Sequence, residues 1–123
     1  MCDPHPRRYR PADRIRHQAE FDRVFQARFY AADSVLVVQA CANRLARTRL
    51  GLSISRRVGN AVLRNRWKRL IREVFRLHRT TLPTGLDLVV RPRRGAEPVF
   101  AAIAQSLPRL TRRLARQIQG DPR

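Results

Sequence analysis

Ser53 to Arg79 reads Ser-Ile-Ser-Arg-Arg-Val-Gly-Asn-Ala-Val-Leu-Arg-Asn-Arg-Trp-Lys-Arg-Leu-Ile-Arg-Glu-Val-Phe-Arg-Leu-His-Arg and decides the fold. Apolar residues recur through this stretch at the spacing of one face of an α-helix. They are Leu63, Trp67, Leu70, Ile71, Val74 and Leu77. Such a stripe is typical of a helix that packs on a hydrophobic core. We therefore predict a long amphipathic helix with these side chains buried.

The opposite face of this predicted helix is basic. On a helical wheel it carries Asn65, Lys68, Arg69, Arg72 and Arg76, with Arg64 and Arg66 at its two edges. Glu73 is the only acid in the helix, so pairing within the helix cannot neutralise the surface. Most charged faces simply meet solvent, but like charges at i,i+4 repel. The Lys68–Arg72–Arg76 ladder therefore favours a face that binds a polyanion.

The whole chain is strongly basic. Lys and Arg together number 27 against 9 Asp and Glu, which gives a net charge of +18 on 123 residues. This excess predicts a polyanionic partner, with nucleic acid as the default. The hydrophobic fraction of 43% is enough for a packed fold, which argues against a wholly disordered basic protein. The length suits one small domain with one core.

The predicted domain spans residues 13–119, between a basic arm and a short tail. Residues 1–12 are rich in Pro and Arg and are expected to form a flexible arm that could order on RNA. Residues 120–123 form the tail. Cys2 and Cys41 show neither a disulfide framework nor a metal-site spacing. No apolar run approaches the roughly 18 residues needed to cross a membrane, so we expect a reducing, cytoplasmic setting.

Three helices and three strands are predicted in the order α-β-β-α-β-α, which implies an α+β fold. The first helix spans Ala19–Ala27, and Asn60 suits the N-cap of the main helix. Runs of β-branched and apolar residues predict the strands Val35–Cys41, Leu50–Ser55 and Leu86–Arg91. The last helix spans Val99–Gln119. Its apolar stripe, which begins at Phe100, stays in phase across Pro108, so one kinked helix is expected.

Phe21, Val24 and Phe25 share one face of the first predicted helix, at positions i, i+3 and i+4. Two interpretations of the aromatic pair are open. Aromatic side chains are generally buried, so spacing alone favours a place in the core. A short helix with two aromatics beside basic residues could instead offer a stacking platform to unpaired bases.

The second predicted strand alternates large and small side chains. Leucine and isoleucine fill one face, and the small residues of the other face are Gly51, Ser53 and Ser55. These small residues leave room for something to lie against the sheet. Arg56–Asn60 then connects the strand to the main helix, and Gly59 permits a turn conformation there. Backbone amides at the start of the helix would suit a phosphate.

No catalytic constellation is visible in the sequence. The acids show no paired spacing of the metal-nuclease kind, and the histidines have no nucleophile partner. The acids concerned are Asp22, Asp33, Asp87 and Glu97, and the histidines are His5, His17 and His78. A phosphate-cradling glycine-rich loop and a zinc spacing are also missing. The residues therefore predict a binding protein with no catalytic residue and no metal site of its own.

Two segments carry a more specific motif. The first reads Gly51-Leu52-Ser53-Ile54-Ser55-Arg56-Arg57-Val58-Gly59-Asn60-Ala61-Val62, and the second reads Arg64-Asn65-Arg66-Trp67-Lys68-Arg69-Leu70-Ile71-Arg72-Glu73. Together they closely resemble the protein component of bacterial ribonuclease P, whose hallmark is the Arg-Asn-Arg core followed by Lys-Arg. The resemblance extends to Glu20–Phe25 in the first helix, to the third strand and to Ser106–Leu110 in the last helix. It covers roughly Arg14 to Leu114.

The resemblance implies both a fold and a function. The fold is a small α+β sandwich in which helices pack on a mixed sheet, with a left-handed β-α-β crossover that is rare among proteins. The function is that of a protein subunit of an endoribonuclease that removes the 5′ leader from precursor tRNA. Catalysis is expected in the RNA subunit, with Mg²⁺ bound mainly by that RNA. The implied partners are the catalytic RNA and precursor tRNA, with no membrane and no DNA.

The resemblance also implies RNA-binding residues, because the Arg-Asn-Arg helix of the family faces the catalytic RNA. Carried over by position, the contacts fall on Arg57, Asn60, Arg64, Asn65, Arg66, Lys68, Arg69 and Arg72. Arg56, from the same connection, and Arg76, from the basic helix face, complete the predicted set.

A second site is implied between the first helix and the open sheet face, where the family binds the single-stranded leader. The residues assigned to this leader cleft are Phe21, Phe25, Val37, Gln39, Ser53 and Ser55. The assignment reverses the preference from spacing alone for a core role of the two phenylalanines. Many relatives carry an aromatic residue in the first strand near the cleft, whereas Val37 and Gln39 are not aromatic.

Other functions fit part of the pattern. A ribosomal or other structural RNA-binding protein would share the charge but would need no leader cleft. A DNA-binding protein would place a recognition helix in the major groove, but no second helix stands at helix-turn-helix spacing. An autonomous nuclease lacks candidate residues.

Overall fold

A mixed four-stranded sheet forms the centre of the computed structural model, which describes residues 11–120. The strands are β1 (Phe29–Ala32), β2 (Leu36–Ala42), β3 (Arg49–Leu52) and β4 (Leu86–Pro92). Their order across the sheet is β1-β2-β4-β3, with β3 and β4 parallel and the other neighbours antiparallel. The helices are α1 (Gln18–Ala27), α2 (Ala61–His78) and α3 (Phe100–Gln119). The predicted α+β class with a mixed sheet is confirmed.

The start of α2 is set by two residues ahead of it. The Asn60 side-chain oxygen accepts a hydrogen bond from the Leu63 N–H at 2.9 Å and caps the helix, as predicted. Gly59 turns the chain at a φ of 152°, and a Cβ added there would lie 2.5 Å from Leu63 Cδ2. α2 then links β3 to its parallel neighbour β4. The left-handed sense of this crossover stays a prediction.

One face of the sheet is sealed by α2 and α3. Three residues of the predicted α2 stripe are fully buried: Trp67, Ile71 and Val74. The other three stay partly exposed: Leu63, Leu70 and Leu77. Phe75, outside the predicted stripe, is fully buried. Since Phe75 stands one helical turn after Ile71, the buried face of α2 is rotated toward it.

α3 continues through Pro108 as one helix, as predicted. Pro108 is buried, and the neighbouring Thr111 hydroxyl donates to the Leu107 carbonyl at 2.7 Å. The core side of α3 is formed by Ile103, Leu107, Leu110 and Leu114. Phe100, predicted to begin this stripe, opens the helix and is 40% exposed.

β1 is a strand that the predicted element order lacked. It begins one residue after α1, because Arg28 adopts a left-handed conformation with a φ of 61° and redirects the chain. Asp33 then forms the turn into β2 by accepting the backbone N–H groups of Val35 and Leu36 at 2.8 and 3.0 Å. A four-residue strand ending in two alanines has little β propensity to mark it in the sequence. The observed order is therefore α-β-β-β-α-β-α.

β3 is shorter than predicted and ends at Leu52. The Ser53 N–H still bonds to the Val90 carbonyl of β4 at 3.0 Å. The next bond of the parallel ladder would need an N–H from position 92, which is proline and has none. Ser53 and Ser55, which were predicted to belong to this strand, consequently lie beyond its observed end, in the connection to α2.

The predicted arm, residues 1–12, lies outside the described residues except for its last two positions. Those two begin a short 3-10 helix, Pro11–Asp13. Of the predicted tail, only Gly120 is described. The flexibility of both segments stays a prediction.

The other face of the sheet carries α1. Beneath α1 lies a small buried cluster of Ile15, Val24, Cys41 and Val89, with Phe21 and Ala27 packed at its edge. α1 covers the sheet mainly over β2 and β4. We call the sheet face beside α1 the cleft, and its role in binding the leader stays a prediction.

Candidate nucleic-acid interface

The outer face of α2 carries the predicted basic surface. Its exposed members are Asn65, Arg66 and Arg69, and its partly exposed members are Arg64, Lys68 and Arg72. None of these has a carboxylate partner within residues 11–120. Arg76 differs, because it pairs with Glu73, donating from Nε to Oε2 at 3.2 Å. That pairing lowers the pKa of Glu73, so the unbalanced charge lies in the part of α2 that precedes Glu73.

The connection into α2 extends this surface toward β3. Arg56 and Arg57 are exposed and lie in a short 3-10 helix, Arg56–Val58. Asn60 is exposed, and its side-chain oxygen caps α2. The amide NH₂ of Asn60 is the part of that side chain left to donate to a partner. The ten residues predicted to bind RNA therefore lie on one stretch of chain, none of them in the buried core.

The two phenylalanines of α1 form a pair on one flank of the helix. Their ring centroids are 6.5 Å apart and the rings are tilted by 40°. Phe21 lies against Gly51 of β3 so closely that a Cβ added to Gly51 would be 2.8 Å from Phe21 Cε1. The room predicted on the small face of this strand is thus filled at Gly51 by Phe21 itself. Phe25 is 37% exposed and is the more exposed ring of the pair.

The floor of the cleft is formed by β2 and β4. Val37 is buried and Gln39 is partly exposed. Arg91 stands opposite Val37 in the β2–β4 ladder, and its Nη1 donates to Gln39 Oε1 at 2.8 Å. Alternation along the strands puts Val37, Gln39 and Arg91 on the face that carries α1. Arg91 therefore adds to the floor a cation that the predicted cleft did not include.

A cavity of about 770 Å³ lies at the end of this floor, and we call it the arginine cavity. Three separate segments line it with Val37, Ser55, Arg57, Arg91, Arg93 and Arg94, among others. No carboxylate occurs among its described lining residues. A concave surface lined by guanidinium groups attracts phosphate. The cavity joins two predicted cleft residues and one predicted RNA-binding residue to three arginines at the end of β4 and in the loop that follows it.

A buried carboxylate, Asp87 of β4, ties α1 to the sheet. Arg49 donates to it twice, from Nε to Oδ1 at 2.8 Å and from Nη2 to Oδ2 at 2.6 Å. Arg23 of α1 donates to Oδ2 at 2.7 Å, and Asn43 donates to Oδ1 at 2.9 Å. Arg49 also reaches Glu20 of α1, with Nη1 2.8 Å from Oε2. Two residues of α1 are thus held by one network, which we call the Asp87 network.

The Asp87 network keeps its central carboxylate ionised. Burial opposes the ionisation of Asp87, but hydrogen bonds from Arg49, Asn43 and Arg23 outweigh it and hold the pKa below its usual range. The network fixes the position of α1, and with it the position of the phenylalanine pair. Sequence reasoning missed it because the partners of Asp87 are 38 to 64 residues away along the chain.

Residues 11–120 contain no group of three or more His, Cys, Asp or Glu side chains that could hold a metal ion. His78 Nδ1 lies 2.9 Å from the Val74 carbonyl, within its own helix. Of the helices described, none is long and apolar enough to cross a membrane. The arrangement offers contacts for phosphates and bases.

Comparisons with known proteins agree with this geometry. The ribonuclease P family model matches residues 10–115. The ribonuclease P protein component of Desulfovibrio desulfuricans is 41% identical over 115 residues, which cover 88% of this chain and 87% of the relative. That of Brevibacillus brevis is 42% identical over 96 residues, which cover 76% of each chain.

Solved structures give the same result. The RNase P protein of Staphylococcus aureus superposes with a TM-score of 0.72 at 35% identity, covering 84% of this chain and 94% of that one. The RNase P protein of Thermotoga maritima superposes with a TM-score of 0.73 at 30% identity, covering 81% and 96%. Sequence motif, fold and family match therefore coincide, and the chain belongs to the ribonuclease P protein family.

Proposed function

We propose that this chain, a ribonuclease P protein component that works in tRNA processing, divides its RNA contacts between two surfaces. The outer face of α2, with the connection Arg56–Asn60, binds the catalytic RNA. The cleft beside α1 binds the 5′ leader of precursor tRNA, with Phe25 stacking on a base and the arginine cavity holding phosphates.

The observation that carries this proposal is the placement of the two surfaces. α2 packs on one face of the sheet and presents its basic side away from it, whereas the cleft lies on the other face. Two RNA molecules can therefore be held at the same time without competing for one surface. Arg57 belongs to the predicted set on the α2 side and also lines the arginine cavity, so it stands where the two surfaces meet.

The protein's part in the reaction is binding. Ribonuclease P is an endoribonuclease, and residues 11–120 of this chain contain no group of three or more His, Cys, Asp or Glu side chains that could hold a metal ion. Our proposal assigns bond cleavage to the RNA subunit, with Mg²⁺ held mainly by that RNA. The arginines of this chain neutralise phosphates of both RNAs as they approach each other, which favours assembly at low metal concentration. The cytoplasm is the setting proposed for this reaction.

A cleavage assay tests the proposal. Precursor tRNA is incubated at low Mg²⁺ with the cognate catalytic RNA, with this chain alone, and with both. Cleavage is expected with both, weakly or not at all with the RNA alone, and not at all with the chain alone. Competition by mature tRNA should be weaker than competition by precursor, because only the precursor has a leader. Cleavage by the chain alone, or equal competition by the two tRNAs, would contradict the proposal, and equal competition would favour a structural RNA-binding protein.

A further inference from the structure

A second basic cavity lies at the outer edge of the sheet, along β1. Its volume is about 520 Å³, and its lining includes Arg28, Tyr30, Arg93, Arg113 and Gln117. Three of these side chains are guanidinium groups, and no carboxylate occurs among the described lining residues. Arg93 lines the arginine cavity as well. The two cavities therefore share Arg93, and the second extends around the β1 edge of the sheet to Arg113 and Gln117 of α3.

Tyr30 gives this edge an exposed aromatic ring. It is 64% exposed, compared with 37% for Phe25. Its neighbour Ala31 is buried in the core on the α2–α3 side, so alternation along β1 turns Tyr30 to the face that carries the cleft. An aromatic ring that is mostly exposed beside three arginines is poorly explained by packing, and it is what a stacked base requires.

The strand register connects Tyr30 to the cleft. Tyr30 stands opposite Gln39, Gln39 opposite Val89, and Val89 opposite Gly51. These four residues form one row across all four strands on a single face. Phe21 lies over the Gly51 end of the row, and Tyr30 lies at the other end, about 14 Å away at about 4.8 Å per strand.

The charges around this cavity favour a nucleic acid. Asp33 is the acid nearest along the chain after β1, but its carboxylate accepts hydrogen bonds from Ser106 at 2.7 Å and Arg109 at 2.5 Å. It also accepts the two backbone N–H groups of the β1–β2 turn. Because the Asp33 carboxylate is paired with Arg109, the net charge facing the cavity is positive. A polyanion with exposed bases complements both the positive charge of the cavity and its exposed aromatic ring.

We propose that Tyr30, with Arg28, Arg93 and Arg113, forms a second nucleotide site for the single-stranded leader. This inference rests on the function proposed above, because the leader reaches β1 only after it has passed the phenylalanine pair. β3 leads directly into the α2 surface assigned to the catalytic RNA, and β1 is the opposite edge of the sheet. The site therefore takes leader nucleotides further from the cleavage point than those at Phe25.

The test measures the affinity of the assembled holoenzyme for precursor tRNAs whose leaders increase in length. With the wild-type chain, affinity should rise in two steps as the leader reaches first Phe25 and then Tyr30. Tyr30→Ala should remove only the second step, by about five-fold or more, whereas Tyr30→Phe should keep it. A single step in the wild type, or a Tyr30→Ala protein that retains both steps, would overturn the second site.

Arginine variants test the same site independently of the ring. Arg113→Ala should make the salt dependence of long-leader binding shallower by about one unit and leave short-leader binding unchanged. Arg112→Ala is the matched control, since Arg112 is exposed on the same helix and does not line the cavity. The second site would also be overturned by equal salt slopes for Arg113→Ala and Arg112→Ala. The same conclusion would follow if Arg113→Ala or Tyr30→Ala lowered the affinity for precursor tRNA at every leader length.

Failure of this inference is separable from failure of the proposed function. If precursor is preferred over mature tRNA but Tyr30→Ala changes nothing, the second site is wrong and the leader cleft stands. If the wild-type holoenzyme does not prefer precursor at any leader length, the proposed function fails and the second site fails with it.

Discussion

The two faces of the sheet are stabilised in different ways. One face is sealed by α2 and α3 over large buried side chains such as Trp67 and Phe75. The other face carries α1 over a small buried cluster, and the Asp87 network supplies the specific attachment. Apolar burial stabilises a fold without setting fine geometry, whereas charged hydrogen bonds fix direction. The comparison indicates that the packed face carries most of the stability, whereas on the other face the Asp87 network sets the geometry of the candidate binding site.

The largest effect is expected on the packed face. Trp67→Ala removes a fully buried indole and should lower the free energy of unfolding by about 3–5 kcal/mol. Val62→Ala is the control in the same helix, because Val62 is 78% exposed, and it should stay within about 0.5 kcal/mol. Denaturant unfolding measures both. Similar values for the two variants would show that the packed face does not carry the stability.

The next effect concerns the attachment of α1. Asp87→Asn removes the buried carboxylate that Arg49 and Arg23 share, leaves Arg49 with Glu20 alone, and should cost about 3 kcal/mol of unfolding free energy. Because α1 loses its anchor, the holoenzyme should also lose part of its preference for precursor tRNA, while affinity for the catalytic RNA stays near normal.

Asp22→Asn serves as the control for this charge change. Asp22 is an exposed acid of α1 that accepts a hydrogen bond from Gln18 Nε2 at 2.9 Å, and removing its charge should be nearly neutral for stability. If Asp87→Asn leaves the precursor preference intact, the Asp87 network is not what positions the phenylalanine pair.

Acid pH probes a contact between the sheet and the packed helices. Burial opposes ionisation of Asp33, but hydrogen bonds from the Leu36 N–H, Ser106, the Val35 N–H and Arg109 outweigh it and lower the pKa to about 2 from an ordinary 3.8. Since the pKa is lowered in the folded state, the stabilisation is present above pH 3.8 and is lost as the pH falls toward 2.

Asp33→Asn should therefore lower the unfolding free energy by about 2 kcal/mol at a pH near 6. The difference from wild type should shrink as the pH falls through the region between the two pKa values. Urea unfolding at a series of pH values measures it. If the difference in unfolding free energy between Asp33→Asn and wild type did not change with pH, the charge of Asp33 would not contribute to stability.

The same contrast explains what the sequence could predict. The position of α2 and its buried Trp67, Ile71 and Val74 followed from a local 3.6-residue period, and the basic face followed from the same wheel. β1 was missed because Arg28, a non-glycine residue in the left-handed region, ends α1 without a recognisable turn signal. Elements marked by a pattern in neighbouring residues were therefore predicted. β1, a short strand that is recognised by its pairing with β2, was not.

The candidate site divides in the same way. The residues of the α2 surface are contiguous in sequence, so a motif could assign them. The arginine cavity and the cavity at Tyr30 each combine separate segments, and the Asp87 network joins residues far apart in the chain. Tyr30 could have been noticed only by placing β1 beside β2 in register with Gln39.

The central claim is that RNA assembly and leader recognition lie on different faces, and two variants test it together. Arg69→Ala should weaken binding to the catalytic RNA and make its salt slope shallower by about one unit, with the precursor-to-mature preference unchanged. Phe25→Ala should leave that binding unchanged and lower the preference by about five-fold. Affinities of both proteins for the catalytic RNA, and of both holoenzymes for the two tRNAs, are the measurement. If each variant changes both the affinity for the catalytic RNA and the preference for precursor tRNA, the two faces do not act separately.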